Sequence, residues 1–177
     1  ARKGGYTHLE AFLNGLDQDF ILDIVTKDVS LKREFSSVKN LNIYCDLTPN
    51  SPGLKQLFAQ ANIFVFPTEA DCFGIVVSEA MAAGLPVITT DIGGLCEQIE
   101  HGVNGLIIPP SDATALAIAL RTLKNNPAKI ATMAAASRQI VEKRFDARRN
   151  YAAVVNLMKS VSHKSGSSYS AGNFHHV

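Results

Sequence analysis

Residues 64–94, FVFPTEADCFGIVVSEAMAAGLPVITTDIGG, decide how this chain folds. The β-rich run from Ile63 to Phe66 is stopped by Pro67, a polar loop follows to Gly74, and an apolar segment from Ile75 to Ala83 reads as a helix ended by Gly84. Pro86 to Thr90 is β-branched and reads as the next strand. Strand, loop, helix and strand in so short a stretch describe one unit of a parallel α/β sheet, where ligands bind outside the carboxyl ends of the strands. Two carboxylates lie across the loop-to-helix junction at that edge, Asp71 in the loop and Glu79 on the helix. The helix start beside them offers unpaired N–H groups to an anion.

The same alternation extends in both directions. Upstream, Thr7-His8-Leu9-Glu10 has the form of a capping box opening a helix through Leu16. Phe20 to Thr26 is a near-continuous apolar strand of the kind covered by helices on both faces. Ser30 to Ser37 makes a short polar helix, Leu41 to Tyr44 a short strand, and Leu54 to Ala61 a helix after the turn at 48–53. Downstream, Gly94 to His101 reads as a helix ended by Gly102, and Gly105 to Ile108 as a last strand. Ser111-Asp112 cap a helix to about Lys124, Pro127 opens another at its first turn, and Asp146 caps a third that fades near Val161. Residues 162–177, SHKSGSSYSAGNFHHV, carry no periodic apolar face and read as a disordered tail behind one domain of residues 1–161.

Composition removes several classes of function. At 177 residues, 46% hydrophobic and 19% charged, the chain can bury a sizeable core. A net charge of +1 without a basic run argues against electrostatic capture of nucleic acid, whereas a local anion site needs only one or two cations. Cys45, Cys72 and Cys96 are odd in number and lack CxxC spacing, which points to reduced thiols in the cytoplasm rather than to a disulfide framework. His8, His101 and the tail pair His175-His176 have no Cys, His or acid at ligand spacing, so no structural metal is expected. No nucleophile-elbow context supports hydrolase chemistry.

One ordered set of residues resembles a known family. Pro67-Thr68, Asp71, Phe73-Gly74, Glu79-Ala80, Ala83-Gly84, Pro86-Val87 and Gly93-Gly94 followed by Glu97 are similar to the retaining glycosyltransferases of the GT-B fold, family 4. Those enzymes carry a Glu, seven residues, then a second Glu; here Cys72 to Ser78 keep the spacing while the first acid is Asp71. The likeness continues through Lys3-Gly4 upstream and Gly102, Asn104-Gly105, Pro109 and Asp112 downstream. It implies a Rossmann-like, doubly wound parallel sheet forming the C-terminal, donor-binding half of a two-domain enzyme. The family has a strand and an Arg ahead of the Lys-Gly pair, so the sheet is expected to be one strand short. The implied reaction is hexosyl transfer from a nucleoside-diphosphate sugar to a hydroxyl acceptor held by an upstream domain, through which the protein would also be membrane-peripheral.

The resemblance implies a role for each site residue. Glu79 would accept hydrogen bonds from the vicinal ribose hydroxyls, a task suited to a carboxylate. Asp71 would face the donor sugar; its other use is an Asx turn within its own loop. The N–H groups of Gly74, Ile75 and Val76 would hold the distal phosphate, with Gly74 letting the ligand approach, and Phe73 would belong to the donor site by packing beneath the loop rather than by stacking on the base. Lys3 resembles the family lysine that neutralises the pyrophosphate as charge collects on the leaving group, so no metal is required. Gly94 and Glu97 follow the next strand near the donor, although a first-turn Glu is also favoured by the helix dipole alone. The rival readings are another GT-B enzyme such as a sugar-nucleotide epimerase or a phosphorylase, a binding module without catalysis, and a dinucleotide-binding Rossmann enzyme. The last lacks a G-x-G-x-x-G after a first strand.

Overall fold

The computed structural model describes residues 5–16 and 18–166. Lys3 and residues 167–177 of the expected tail lie outside the described residues. The chain divides into two compact units, Ala1–Glu142 and Lys143–Val177.

In the first unit the elements alternate as α1 (Gly5–Leu13), β1 (Leu22–Val25), α2 (Val29–Glu34), β2 (Leu41–Tyr44), α3 (Pro52–Gln60), β3 (Phe64–Phe66), α4 (Ile75–Ala82), β4 (Val87–Thr90), α5 (Leu95–Gln98), β5 (Gly105–Ile108) and α6 (Ala113–Lys124), with α7 (Pro127–Arg144) running to its end. All strand pairs are parallel, as an alternating α/β chain requires. They form a two-stranded sheet β1-β2, in register from Leu22 with Leu41, and a three-stranded sheet β3-β4-β5, in register from Phe64 with Val87 and Val87 with Gly105. The architecture is α/β and Rossmann-like.

Apolar residues explain how the helices cover the larger sheet. Ile88, Leu106 and Ile108 form one core with Ala11 and Phe12 of α1, Leu116, Ala119 and Leu123 of α6, and Met133 of α7. Because strand side chains alternate between faces, Val87 and Thr89 take the opposite side. There α4 packs on β3 and β4, with Val77, Ala80 and Met81 fully buried. All four residues of β4 are buried.

Several local expectations are corrected. The capping box does not open α1, which begins at Gly5 and leaves Thr7 buried inside the helix. The apolar run 20–26 yields only Leu22–Val25, and Ile24 alone is buried, because β1 belongs to the small sheet and not to a strand sandwiched on both faces. Helix α3 starts earlier than Leu54: Ser51 caps it, its Oγ accepting from Leu54 N at 3.3 Å, with Pro52 in the first turn. Helix α5 stops at Gln98, since Ile99 is extended. Of the expected pair Ser111-Asp112, Asp112 is the cap, its carboxylate accepting from Ala115 N at 2.8 Å, while Ser111 turns its hydroxyl to Glu69.

The second unit is dominated by α8 (Ala147–Gly166), opened by Asp146, whose Oδ1 accepts from Arg149 N at 2.7 Å. The helix runs to Gly166, so residues 162–166 are helical and not part of a tail. No helix among the described residues is long and apolar enough to cross a membrane.

Candidate functional site

The loop after β3 is anchored by buried hydroxyls of β4. Thr89 Oγ1 donates to Phe66 O at 2.9 Å and Thr90 Oγ1 to Thr68 O at 2.6 Å, and all three threonines, 68, 89 and 90, are fully buried. Thr68 in turn bonds Ala70 through its own hydroxyl, accepting from Ala70 N and donating to Ala70 O, both at 3.2 Å. The sequence reading assigned none of these threonines a role. Their signal was two Thr at the carboxyl end of a strand whose other residues are purely apolar, where a buried hydroxyl must find a backbone partner.

Beyond Thr68 the loop folds back on its own acid. Asp71 Oδ1 accepts from Phe73 N at 3.1 Å and from Gly74 N at 2.6 Å, which is the Asx-turn use of this carboxylate. Gly74 then enters α4 in the left-handed region, φ 69°. A Cβ there would meet Leu95 Cδ2 at 2.6 Å, so this glycine serves internal packing and backbone reversal, and the open space expected for a ligand is occupied by Leu95. Its N–H is already given to Asp71. The N–H groups of Ile75 and Val76 follow in the first helical turn, where no carbonyl one turn earlier in the helix exists to receive them.

The loop between β4 and α5 closes against this turn. Gly94 N donates to Cys72 O at 2.8 Å, and the Phe73 ring lies so close that a Cβ on Gly94 would stand 3.1 Å from it. Phe73 thus packs within the loop, and the Gly94 amide is spent on the chain itself. Gly93, at φ +56°, approaches more closely still: an added Cβ would be 2.3 Å from Asp71 O. Gly93→Ala is therefore expected to cost about 2 kcal/mol or more, combining left-handed strain with a backbone clash. Gly84→Ala carries the strain alone, with φ +77° and nothing within 4 Å of the new Cβ. It should cost only about 1 kcal/mol. Urea melts of the two variants compare them directly, and the Gly93 variant alone should also disturb ligand binding.

Glu79 lies four residues into α4, about 6 Å along the axis from Ile75 and on the same face. Its side chain is exposed and borders a cavity of ≈ 520 Å³ walled by Asn50, Leu54, Lys55 and Phe58 on the α3 side, Ala82 and Ala83 at the end of α4, and Arg138 of α7. Arg138 caps α4 by donating from Nη1 to Ala82 O and pairs with Glu142 at 2.5 Å. The α3 wall could not be read in the sequence, because the residues that meet Glu79 are placed by the packing of two helices distant in the chain. Ile75, one turn before Glu79, is 71% exposed. Glu97 is exposed in the first turn of α5. Glu69, the neighbour that breaks the seven-residue spacing, is exposed and accepts from Ser111 Oγ at 2.9 Å.

The arrangement presents a rigid, hydrogen-bonded loop, a helix start with open N–H groups and a carboxylate one turn on, beside a partly apolar cavity. Such a surface can hold a phosphate at the helix start and accept hydroxyl hydrogen bonds at Glu79. Among the described residues no group of three His, Cys, Asp or Glu side chains converges as metal ligands do.

The profile of the family described as "Glycosyl transferases group 1" matches residues 2–140. A glycogen synthase of Mycobacterium tuberculosis is 39% identical over 93 residues, which are 52% of this chain and 22% of that protein. Sucrose-phosphate synthase of Thermosynechococcus elongatus has a solved structure that superimposes with a TM-score of 0.75 at 26% identity, over 95% of this chain and 43% of its own. The Anabaena protein HepE, solved in complex with UDP-glucose, shares the fold with a TM-score of 0.75 at 24% identity, over 90% of this chain and 46% of its own. The chain thus spans about a fifth of the curated relative and less than half of the solved structures.

Proposed function

The chain belongs to the group 1 glycosyl transferases, and we propose that it is the donor-binding half of a retaining, family-4-like enzyme that transfers a hexosyl group from a nucleoside-diphosphate sugar to a hydroxyl acceptor. One observation carries this reading: Glu79 stands one turn into α4, between a helix start with open N–H groups and a cavity of ≈ 520 Å³. In the proposed complex the distal phosphate meets the Ile75 and Val76 amides, the ribose hydroxyls donate to Glu79, and the base enters the cavity along Leu54 and Phe58. Asp71 faces the donor sugar from its loop. Lys3 and the helix start balance the charge that collects on the leaving diphosphate, so that no metal ion is needed. The acceptor, a sugar, a lipid or another alcohol, is held by a separate domain. Free thiols at Cys45, Cys72 and Cys96 support a cytoplasmic site of action.

A second reading has its own support. Asp71 is shorter than the family's first acid and is bonded to its own loop, which favours a module that binds the nucleotide without transferring the sugar.

Calorimetry with UDP, GDP, ADP and their sugars tests the placement of the nucleotide. Glu79→Ala is expected to weaken binding by roughly 1 to 3 kcal/mol, the range for hydrogen bonds to a charged group. Glu69→Ala should be close to neutral, since its one described bond is the exposed contact with Ser111. Equal losses for the two would show that the motif register is wrong.

A further inference from the structure

Gln98 closes α5 and is fully buried, although glutamine is seldom wholly inside a protein. Its amide bridges two segments of the donor site. Nε2 donates to Phe73 O, and Oε1 accepts from Ser78 Oγ at 2.6 Å. The partners fix which end is which, because a carbonyl oxygen can only accept and so must face the nitrogen. The carbonyl of Phe73 and the N–H of Gly74 belong to one peptide plane, and that N–H donates to Asp71 Oδ1 at 2.6 Å. The bonds therefore run in one direction: Ser78 hydroxyl to Gln98 oxygen, Gln98 nitrogen to Phe73 carbonyl, Gly74 N–H to the Asp71 carboxylate. Each donor points towards the negative charge at the end, and hydrogen bonds in series through amides reinforce one another.

We infer that Gln98 is a positioning residue for Asp71, acting through the Phe73–Gly74 peptide and anchored by Ser78. The inference rests on the donor-binding reading, in which Asp71 faces the sugar. Gln98 does not touch the donor. It sets the tilt of the peptide that gives the carboxylate the shorter of its two loop bonds, 2.6 Å from Gly74 N against 3.1 Å from Phe73 N, and the Ser78 end ties that tilt to the residue preceding Glu79. A shift of α4 and a shift of the loop are thereby coupled, so the two acids keep their spacing. Its backbone is held as well, for Asn104 Nδ2 donates to Gln98 O at 3.0 Å, so the bridge itself is made by the side chain. Hydrophobic periodicity could not reveal this role, because Gln98 stands at a position that pattern alone fills with an apolar residue.

A double-mutant cycle on the 177-residue chain, with UDP-glucose as the calorimetric probe, tests the inference. Gln98→Met keeps the volume and removes both bonds; it should weaken UDP-glucose binding about tenfold, the loss expected for one buried hydrogen-bonded link. In an Asp71→Ala background the same substitution should change affinity by less than about twofold, because the group it positions is gone. A residue that only supports the fold would cost the same factor in both backgrounds, and that result, or no loss in either, overturns the inference. Val141→Ala, buried in α7, supplies a variant of lowered melting temperature with unchanged affinity. Should Gln98→Met not fold, Ser78→Ala enters the same cycle; loosening one end of the amide should give about a threefold loss that also vanishes without Asp71. If the unaltered chain binds no nucleoside-diphosphate sugar, the donor reading fails by itself. Amide exchange at Gly74 then still decides the bridge: faster exchange in either variant supports it, and unchanged exchange in both overturns it.

Discussion

Lowering the pH from 7 to 4 is expected to remove about 3 kcal/mol of folding stability through one residue, His8. This side chain projects from α1 to β3, its Nε2 3.2 Å from Val65 O. The carbonyl can only accept, so Nε2 carries a proton there. Burial pushes its pKa down from 6.5 to about 4, against a smaller opposing effect of the Val65 bond. Between those values the unfolded chain takes up a proton that the folded chain refuses, so stability is complete above pH 6.5 and falls as the pH drops towards 4. Domains of this size have only about 5 to 15 kcal/mol in hand, so the loss should be plain in urea melts at about pH 7, 5.5 and 4. His8→Gln keeps an N–H for Val65 O without titrating, and its midpoint should change far less across this interval. Asp28 does not confuse the window: the Ser30 hydroxyl bond, first of its causes, lowers its pKa below 3.8, so what it contributes is lost only at more acid pH. Equal pH sensitivity of the unaltered chain and the His8→Gln variant would show that His8 is not the group responsible.

The same histidine marks where reading the sequence stops. Local patterns carried β2, β5, α4 and the cap of α6, because each depends on neighbours within a few residues: β-branched runs, a glycine at the helix end, an aspartate three residues ahead of an N–H. They did not carry His8 to Val65, 57 residues away in sequence, or the division of five strands into two sheets. In the site, the loop, the helix and the positions of Asp71 and Glu79 were legible from the ordered motif. The use of the groups was less so. The Gly74 amide was expected for a phosphate and is given to Asp71, and the Gly94 amide is given to Cys72. Both are choices made by packing of the 93–94 turn against the 71–73 loop, which no single stretch contains.

Purified residues 1–177 are expected to bind a nucleoside-diphosphate sugar but to show no acceptor-dependent transfer. Transfer with retention needs an acceptor hydroxyl held against the anomeric carbon, and such alignment is worth roughly 10⁵ or more in effective molarity. In the proposed complex every group serves the donor: the helix start would take phosphate, Glu79 ribose, Asp71 the sugar, and Lys3 the pyrophosphate. No group of this chain is proposed to hold an acceptor, so the acceptor is expected to be positioned by a further domain. The assay follows nucleoside-diphosphate release from a panel of sugar nucleotides, with and without alcohol acceptors. It is repeated with the chain joined to an upstream α/β domain, where a rise of several orders of magnitude is expected. Acceptor-dependent turnover by residues 1–177 alone would overturn the half-enzyme reading and place the second wall of the cleft within this chain or in a second copy of it.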